Sequence, residues 1–252
     1  MNNYIHPTVL PDKEEYYRAI NNIGYSSSQV ETLSLSITFL SETEQLLKNA
    51  ITLFEMGFFD AAYYSLRESI ELMLTILFFN EKTPQERDEL LRNWKESKTF
   101  PGSEDMIKFC KESGDNYQDL INSIQSFPGK IGTLRKKLNK YAHKQGFDKF
   151  YVSRFPIIIA DEKRKKIQER LNEEFVKTLK ECIGAIAIIS LVFDPFPMLL
   201  RDEEIFYRIH LFSLPFDDFF VRKYLKEYSV EKYKNTIIYK EMYAHIIKEY
   251  EK

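Results

Sequence analysis

Two helices and the turn between them are specified by residues 50–79, which read AITLFEMGFFDAAYYSLRESIELMLTILFF. Upstream of this stretch, apolar residues recur at helical spacings, which predicts a helix that begins near Ser28 and is stopped by Gly57. Asp60 is a suitable N-cap for a second helix over Ala61–Asn80, which carries one broad apolar face. Because the connection is so short, we expect the two helices to be antiparallel neighbours.

Similar patterns predict helices along most of the chain. The other predicted helices cover Lys13–Asn21, Gln85–Lys95, Met106–Glu112, Tyr117–Phe127, Lys130–Lys144, Asp161 to about Phe193, and two or three segments between Pro197 and Lys252. Residues 150–160 are β-branched and aromatic, which predicts an extended connector or edge strand. The sequence thus predicts an all-α fold: an N-terminal arm (1–27), an antiparallel helical bundle (28–200) and a helical C-terminal extension (201–252).

The composition argues against several classes of protein. Only 8 of the 252 residues are Gly, which disfavours a glycine-turned sandwich or a Rossmann sheet, and 44% hydrophobic residues disfavour a mainly disordered chain. Two cysteines, Cys110 and Cys182, are too few for a disulfide framework or a cysteine-based zinc site. The sequence lacks the common nucleotide-binding, zinc and serine-hydrolase motifs, so we expect no cofactor and no metal.

The chain also lacks the patterns of membrane and secreted proteins. Its longest apolar run, Ile183 to Phe193, has eleven residues, whereas a helix that crosses a bilayer needs roughly 20. Residues Met1–Pro7 contain neither the basic nor the apolar segment of a signal peptide. We therefore expect a cytoplasmic protein that does not associate with membranes.

Positive charge is concentrated in one part of a nearly neutral chain. Residues 130–170 contain thirteen Lys or Arg and four Asp or Glu, an excess of nine positive charges, although the whole chain has a net charge of −2. Such a concentration attracts phosphate backbones. It is equally compatible with an ordinary solvated face of two helices, and the sequence leaves both interpretations open.

His143 lies near the end of the most basic helix. Helical geometry places Lys136, Asn139 and Lys140 on the same face as His143, away from the apolar stripe. An imidazole exchanges protons near neutral pH, a neighbouring cation stabilises charge on a phosphate, and an amide orients either group. The alternative is a histidine that only interacts with the helix dipole.

Arg67 and Glu71 lie one turn apart in the middle of the apolar helix over Ala61–Asn80, so we expect a partly buried charged pair. The pair needs a partner on a neighbouring helix, and Asn139 or His143 is suited to that position. A pair with a purely structural role is equally compatible with the sequence.

The stretch Ala50–Phe79 resembles the opening of HEPN-type helical bundles, in which a helix ends in a glycine turn and the next helix carries Ala, Arg and Glu. Leu138–His143 resembles their second signature, a helix end with a histidine preceded by an asparagine. The resemblance covers about residues 30–195 and implies a dimeric helical bundle. Many active members are metal-independent ribonucleases of bacterial toxin, CRISPR-associated and phage-defence systems.

The chain departs from the catalytic motif of that family, in which an arginine is followed by four to six residues and a histidine. Seven residues separate Arg135 from His143. Lys136 and Lys137 have the permitted spacing, but lysine lacks the guanidinium fork that grips phosphate. Arg67, on the neighbouring helix, is a candidate source of the missing guanidinium.

Two functions follow from the resemblance. The first is an antiviral or toxin ribonuclease. In this function His143 is the general acid/base and Asn139 orients it. Lys136 or Arg67 stabilises the phosphate, and Glu71 fixes Arg67. Other cations of the helix would bind the RNA backbone: Arg135, Lys137, Lys140 and Lys144. The second is a non-catalytic module, a homodimer or part of a defence complex, whose basic face and aromatic C-terminal region dock RNA or a partner protein.

Overall fold

The computed structural model describes residues 7–26, 34–96, 98, 100–150, 161–209 and 215–250. Within these ranges the chain is helical and contains no β-strand, which confirms the predicted all-α class. The connector or edge strand predicted before Asp161 lies outside them, apart from its first residue. None of the helices in these ranges is long and apolar enough to cross a membrane.

Most helices lie within a few residues of the predicted bounds, and the helix start predicted near Ser28 lies outside the described residues. The α-helices are α1 Lys13–Ser26, α2 Ser34–Glu55, α3 Phe59–Asn80, α4 Pro84–Lys95, α5 Ser103–Ser113, α6 Asp115–Ser123, α7 Phe127–Ala142, α8 Asp161–Ser190, α9 Phe196–Leu199, α10 Glu203–Ile209, α11 Asp218–Phe220 and α12 Ile237–Tyr250. After α11 the chain forms a π-helical turn and two 3-10 turns, Val221–Leu225, Lys226–Tyr228 and Val230–Asn235. A further 3-10 turn, Phe147–Lys149, follows α7.

The turn between α2 and α3 explains how two long helices become neighbours. Gly57 adopts a φ of +86°, a left-handed conformation that glycine reaches without steric cost. The Phe58 amide donates a hydrogen bond to the Leu53 carbonyl at 2.8 Å. Gly57 therefore stops α2 as predicted. The predicted N-cap role of Asp60 is wrong: this tight turn starts α3 at Phe59, which leaves Asp60 inside the first helical turn.

The main apolar core lies around α3 and α8. Phe54 of α2 stacks on Phe175 of α8 with 3.9 Å between ring centroids, and Tyr63 of α3 meets the same ring edge-on at 5.8 Å. Helix α1, in the predicted N-terminal arm, extends beyond Asn21 and buries Tyr16 in this core. Since aromatic residues bury large apolar areas, these rings contribute much of the stabilising free energy.

The chain after Pro195 contributes to two apolar clusters. Residues 216–233 join the main core, with Phe216 and Tyr233 fully buried. Helices α10 and α12 instead pack with α9 in a smaller cluster, which we call the α10–α12 cluster. Its three buried residues are Leu199 of α9, Ile205 of α10 and Ile246 of α12. The chain after Pro195 is thus helical, but residues 216–233 belong to the main core. Tyr239 and Tyr243 of α12 pack within the chain with their rings stacked at 6.3 Å, and Tyr250 is exposed.

Candidate functional site

Helices α3 and α7 run antiparallel, and their side chains form about one pair per helical turn along an interface that we call the α3–α7 seam. From one pair to the next, the partner lies later in α3 and earlier in α7. The four pairs are Asp60–Lys144 at 2.5 Å, Tyr63–Tyr141 with stacked rings at 3.8 Å, Arg67–Asn139 at 2.9 Å and Glu71–Arg135 at 3.7 Å. The seam ends at the turn that carries His143.

Arg67 is attached to α7 through its side chain. Its Nε donates a hydrogen bond to Asn139 Oδ1 at 2.9 Å, and the side chain is partly buried. Of the two partners considered from the sequence, Asn139 and His143, the structure selects Asn139. The Arg67 Nη groups make no hydrogen bond to a described residue.

The structure changes the expected role of Glu71. Arg135 Nε lies 3.7 Å from Glu71 Oε1, and Arg135 Nη2 donates to Ser103 Oγ at 2.6 Å. Among the residues that the structure describes, no ion pair joins Glu71 to Arg67, so Glu71 does not fix that guanidinium as expected. The reason is the antiparallel register, which places Arg135 opposite the turn of α3 that follows Arg67. Both side chains of the Glu71–Arg135 pair are largely buried, at 17% and 13% exposure.

His143 is the C-cap of α7, and its side chain is exposed to solvent. Its backbone amide donates to the Asn139 carbonyl at 2.9 Å. The imidazole makes no hydrogen bond or ion pair with other described residues, and Lys136 and Lys140 of the same helix are also exposed. The ring is therefore hydrated and accessible, as the catalytic interpretation requires, although this C-terminal position also suits a simple interaction with the helix dipole.

Most of the positive charge near α7 is balanced by carboxylates from distant parts of the chain. The cross-chain pairs besides Glu71–Arg135 are Lys130–Glu227 at 2.8 Å, Lys137–Glu181 at 3.1 Å and Lys144–Asp60 at 2.5 Å. Three of the four residues expected to bind the RNA backbone, Arg135, Lys137 and Lys144, are thus paired within the protein. Lys140 is the fourth, and it is exposed. Because these ion pairs neutralise several of the cations, the positive potential at the α7 surface is weaker than the charge excess of residues 130–170 suggests.

The turn after His143 carries aromatic residues that the sequence reasoning did not assign to the site. Gly146, with a φ of +101°, reverses the chain, and the Phe147 and Phe150 rings stack at 6.0 Å. Phe147 is 75% exposed. The signal was a glycine between a histidine and two phenylalanines, and it could have indicated an exposed aromatic turn beside the imidazole.

Comparison with models of known protein families, with curated proteins and with solved structures returns no match to this chain. Across the described parts of the chain, no group of three or more His, Cys, Asp or Glu side chains is arranged to hold a metal ion. Any function must therefore be inferred from the seam and its surroundings.

Proposed function

We propose that this chain is a HEPN-like RNA-directed protein of a prokaryotic defence or toxin system, and that it cleaves RNA without a metal ion. One observation carries the proposal: Asn139 holds the guanidinium of Arg67 against the last turns of α7, which end in the exposed His143. A guanidinium supplied by α3 replaces the arginine that the spacing of α7 lacks. The positions with suitable spacing hold Lys136, the ion-paired Lys137 and the buried Leu138.

The chemistry follows from these groups. A neutral His143 accepts the proton of a 2′-hydroxyl while the O2′–P bond forms, and the resulting imidazolium returns a proton to the 5′ oxygen while the P–O5′ bond breaks. Arg67 and Lys136 stabilise the negative charge on the non-bridging oxygens. Asn139 keeps Arg67 in position. The products are a 2′,3′-cyclic phosphate and a 5′-hydroxyl, and no divalent ion takes part.

The test is incubation of the purified chain with labelled single-stranded RNA in EDTA. His143→Ala is expected to lower the cleavage rate by about 10²-fold or more, because a general acid/base contributes that much. His245→Ala is the matched control, since His245 is also exposed but lies on α12, beside Glu249 at 3.4 Å. Equal fragmentation by wild type and His143→Ala, or none by either, would contradict the enzymatic proposal.

The ion pairs of α7 support a second candidate function, a non-catalytic module that binds RNA or a partner protein. Structural pairing of Arg135, Lys137 and Lys144 leaves fewer cations to clamp a scissile phosphate. The two functions differ in one measurement. The wild-type enzyme yields a cyclic-phosphate product that His143→Ala does not yield. A binding module yields no such product even as wild type, and its affinity for the RNA or partner is unchanged in His143→Ala.

A further inference from the structure

A groove with a volume of about 380 Å³ lies between α8 and the segment 221–228. It shares Lys177, Glu181, Glu227 and Tyr228 with an adjoining groove of about 780 Å³ beside α7. Neither groove is lined by His143 or by another of the proposed catalytic residues. We call the first the lysine groove. Its volume is in the range of small-molecule sites.

Two pairs of lysines face each other across the lysine groove. Lys177 and Lys180 lie one turn apart on α8, and Lys223 and Lys226 lie on the opposite wall, in the π-helical and 3-10 turns. Tyr224 and Tyr228 of the second wall also line the groove, and both are buried. Four ammonium groups thus surround one concave surface.

Two carboxylates, Glu15 and Asp12, lie near Lys180, and Glu15 is already in use. Lys223 pairs with Glu15, which also accepts a hydrogen bond from the Tyr224 hydroxyl at 3.0 Å. The Nζ atoms of Lys180 and Lys223 lie 5.9 Å and 5.5 Å from the centre of the same Tyr16 ring, and the two positive charges repel each other. Burial lowers the pKa of Lys180, and the charge of Lys223 lowers it further. Within the described ranges Lys180 has no ion-pair partner.

The remaining charges leave a positive excess. Glu227 pairs with Lys130 at 2.8 Å and Glu181 pairs with Lys137 at 3.1 Å, both toward the adjoining groove. In the lysine groove, three lysines have no ion pair with a described residue: Lys177, Lys180 and Lys226. One carboxylate that lines the groove, that of Glu173, likewise has no such ion pair. Lys180 is partly buried, whereas Lys177 and Lys226 are exposed. Because a cleft lined by charges of one sign concentrates counter-ions, the positive excess predicts an anionic ligand.

The walls of the groove are held by backbone contact. A Cβ atom on Gly184 would lie 2.4 Å from the Tyr224 carbonyl oxygen, so only glycine lets α8 approach the π-helical turn this closely. The lysines of the two walls are therefore presented by rigid elements, so ligand binding costs little backbone conformational entropy. π-Helical turns are also frequent at functional sites.

We propose that the lysine groove binds a compact anion with two phosphate groups, of the pyrophosphate class, and that this site is separate from the site at His143. Lys177 and Lys180 on one wall and Lys226 on the other match two neighbouring phosphates better than one. The tyrosines of the groove are 6% exposed, so they offer little surface on which a nucleobase could stack. The phosphates are therefore the recognised part, whether they belong to a small oligophosphate or to an RNA backbone.

Isothermal titration calorimetry of the full chain with sodium pyrophosphate at low ionic strength tests the proposal. We expect one site per chain, and Lys180→Gln and Lys177→Gln are each expected to weaken binding by about tenfold, the effect of one lost charge-assisted contact. Lys240→Gln, which changes an exposed lysine of α12 outside the groove, is the control and should bind as wild type does. Thermal melting of each variant verifies that it is folded.

The outcomes separate this site from the proposed ribonuclease. His143→Ala must bind pyrophosphate like wild type, even if it cleaves no RNA. If a labelled single-stranded RNA displaces pyrophosphate, and if the affinity for this RNA falls in Lys180→Gln, the recognised phosphates belong to RNA. If the RNA does not displace pyrophosphate, they belong to a small ligand. Absence of binding, or equal affinity in wild type, Lys177→Gln and Lys180→Gln, would overturn the proposal.

Discussion

The α3–α7 seam and the α10–α12 cluster are both made of paired amphipathic helices, yet they are built differently. The seam lies on the main core and couples its two helices through a pair at each turn. The α10–α12 cluster contains three buried residues and is joined by one hydrogen bond between the helices, from the Tyr243 hydroxyl to Glu204 at 3.0 Å. An apolar stripe therefore specifies a helix, but it does not specify how firmly that helix is held.

The difference arises from how many sides of each helix are covered. Helix α3 contacts α2, α5, α7 and α8, so apolar residues are buried around most of its circumference. Helix α12 buries Ile246 alone and exposes much of its surface. Because local stability follows the number of buried apolar contacts, we expect α10 and α12 to open well before the seam does.

The largest effect is expected where the seam joins the core. Phe175→Ala removes the ring that stacks on Phe54 and meets Tyr63, so it leaves a cavity under the seam and should lower the free energy of unfolding by about 3–5 kcal/mol. Urea titration followed by circular dichroism measures this. Phe219→Ala, at a 50% exposed ring, is the control and should cost far less. Equal costs would show that the core does not support the seam as described.

A smaller and local effect is expected in the cluster. Ile246→Ala removes one of its three buried residues and should destabilise α10 and α12 by about 2 kcal/mol. Hydrogen exchange should become faster in these two helices and stay unchanged in α3 and α7. If α3 amides exchange faster to the same degree, the two regions unfold together and the contrast between them is wrong.

The smallest effect is expected from pH. The hydrogen bond from Arg208, followed by that from the Tyr243 hydroxyl, lowers the pKa of Glu204 below its ordinary value of 4.5. A lowered pKa in the folded state contributes stability above the unfolded value, and that stability is lost as pH falls through the folded value. Acidification below 4.5 should thus loosen α12 before the seam. Amide exchange of α12 at a series of pH values measures this, and Tyr243→Phe should show a weaker dependence.

The sequence by itself determined the helices and the faces that they present. Periodicity within one helix is a local property, so it predicted the class of the fold, the stop at Gly57 and the partial burial of Glu71. It also placed His143 on a polar face, where the structure exposes it. The proposed roles of these residues remain predictions.

Only the tertiary structure decided which charges meet. The sequence offered Arg67 as the partner of Glu71 and an unbalanced positive segment around α7, and the structure instead supplies Arg135 to Glu71, and Asp60 and Glu181 to that segment. The register between helices that are remote in the chain fixes these pairs, and side-chain packing between the helices sets that register. No local pattern contains this information, which is why the sequence offered Asn139 as a partner for Arg67 but did not predict the ion pairs of the seam or the lysine groove.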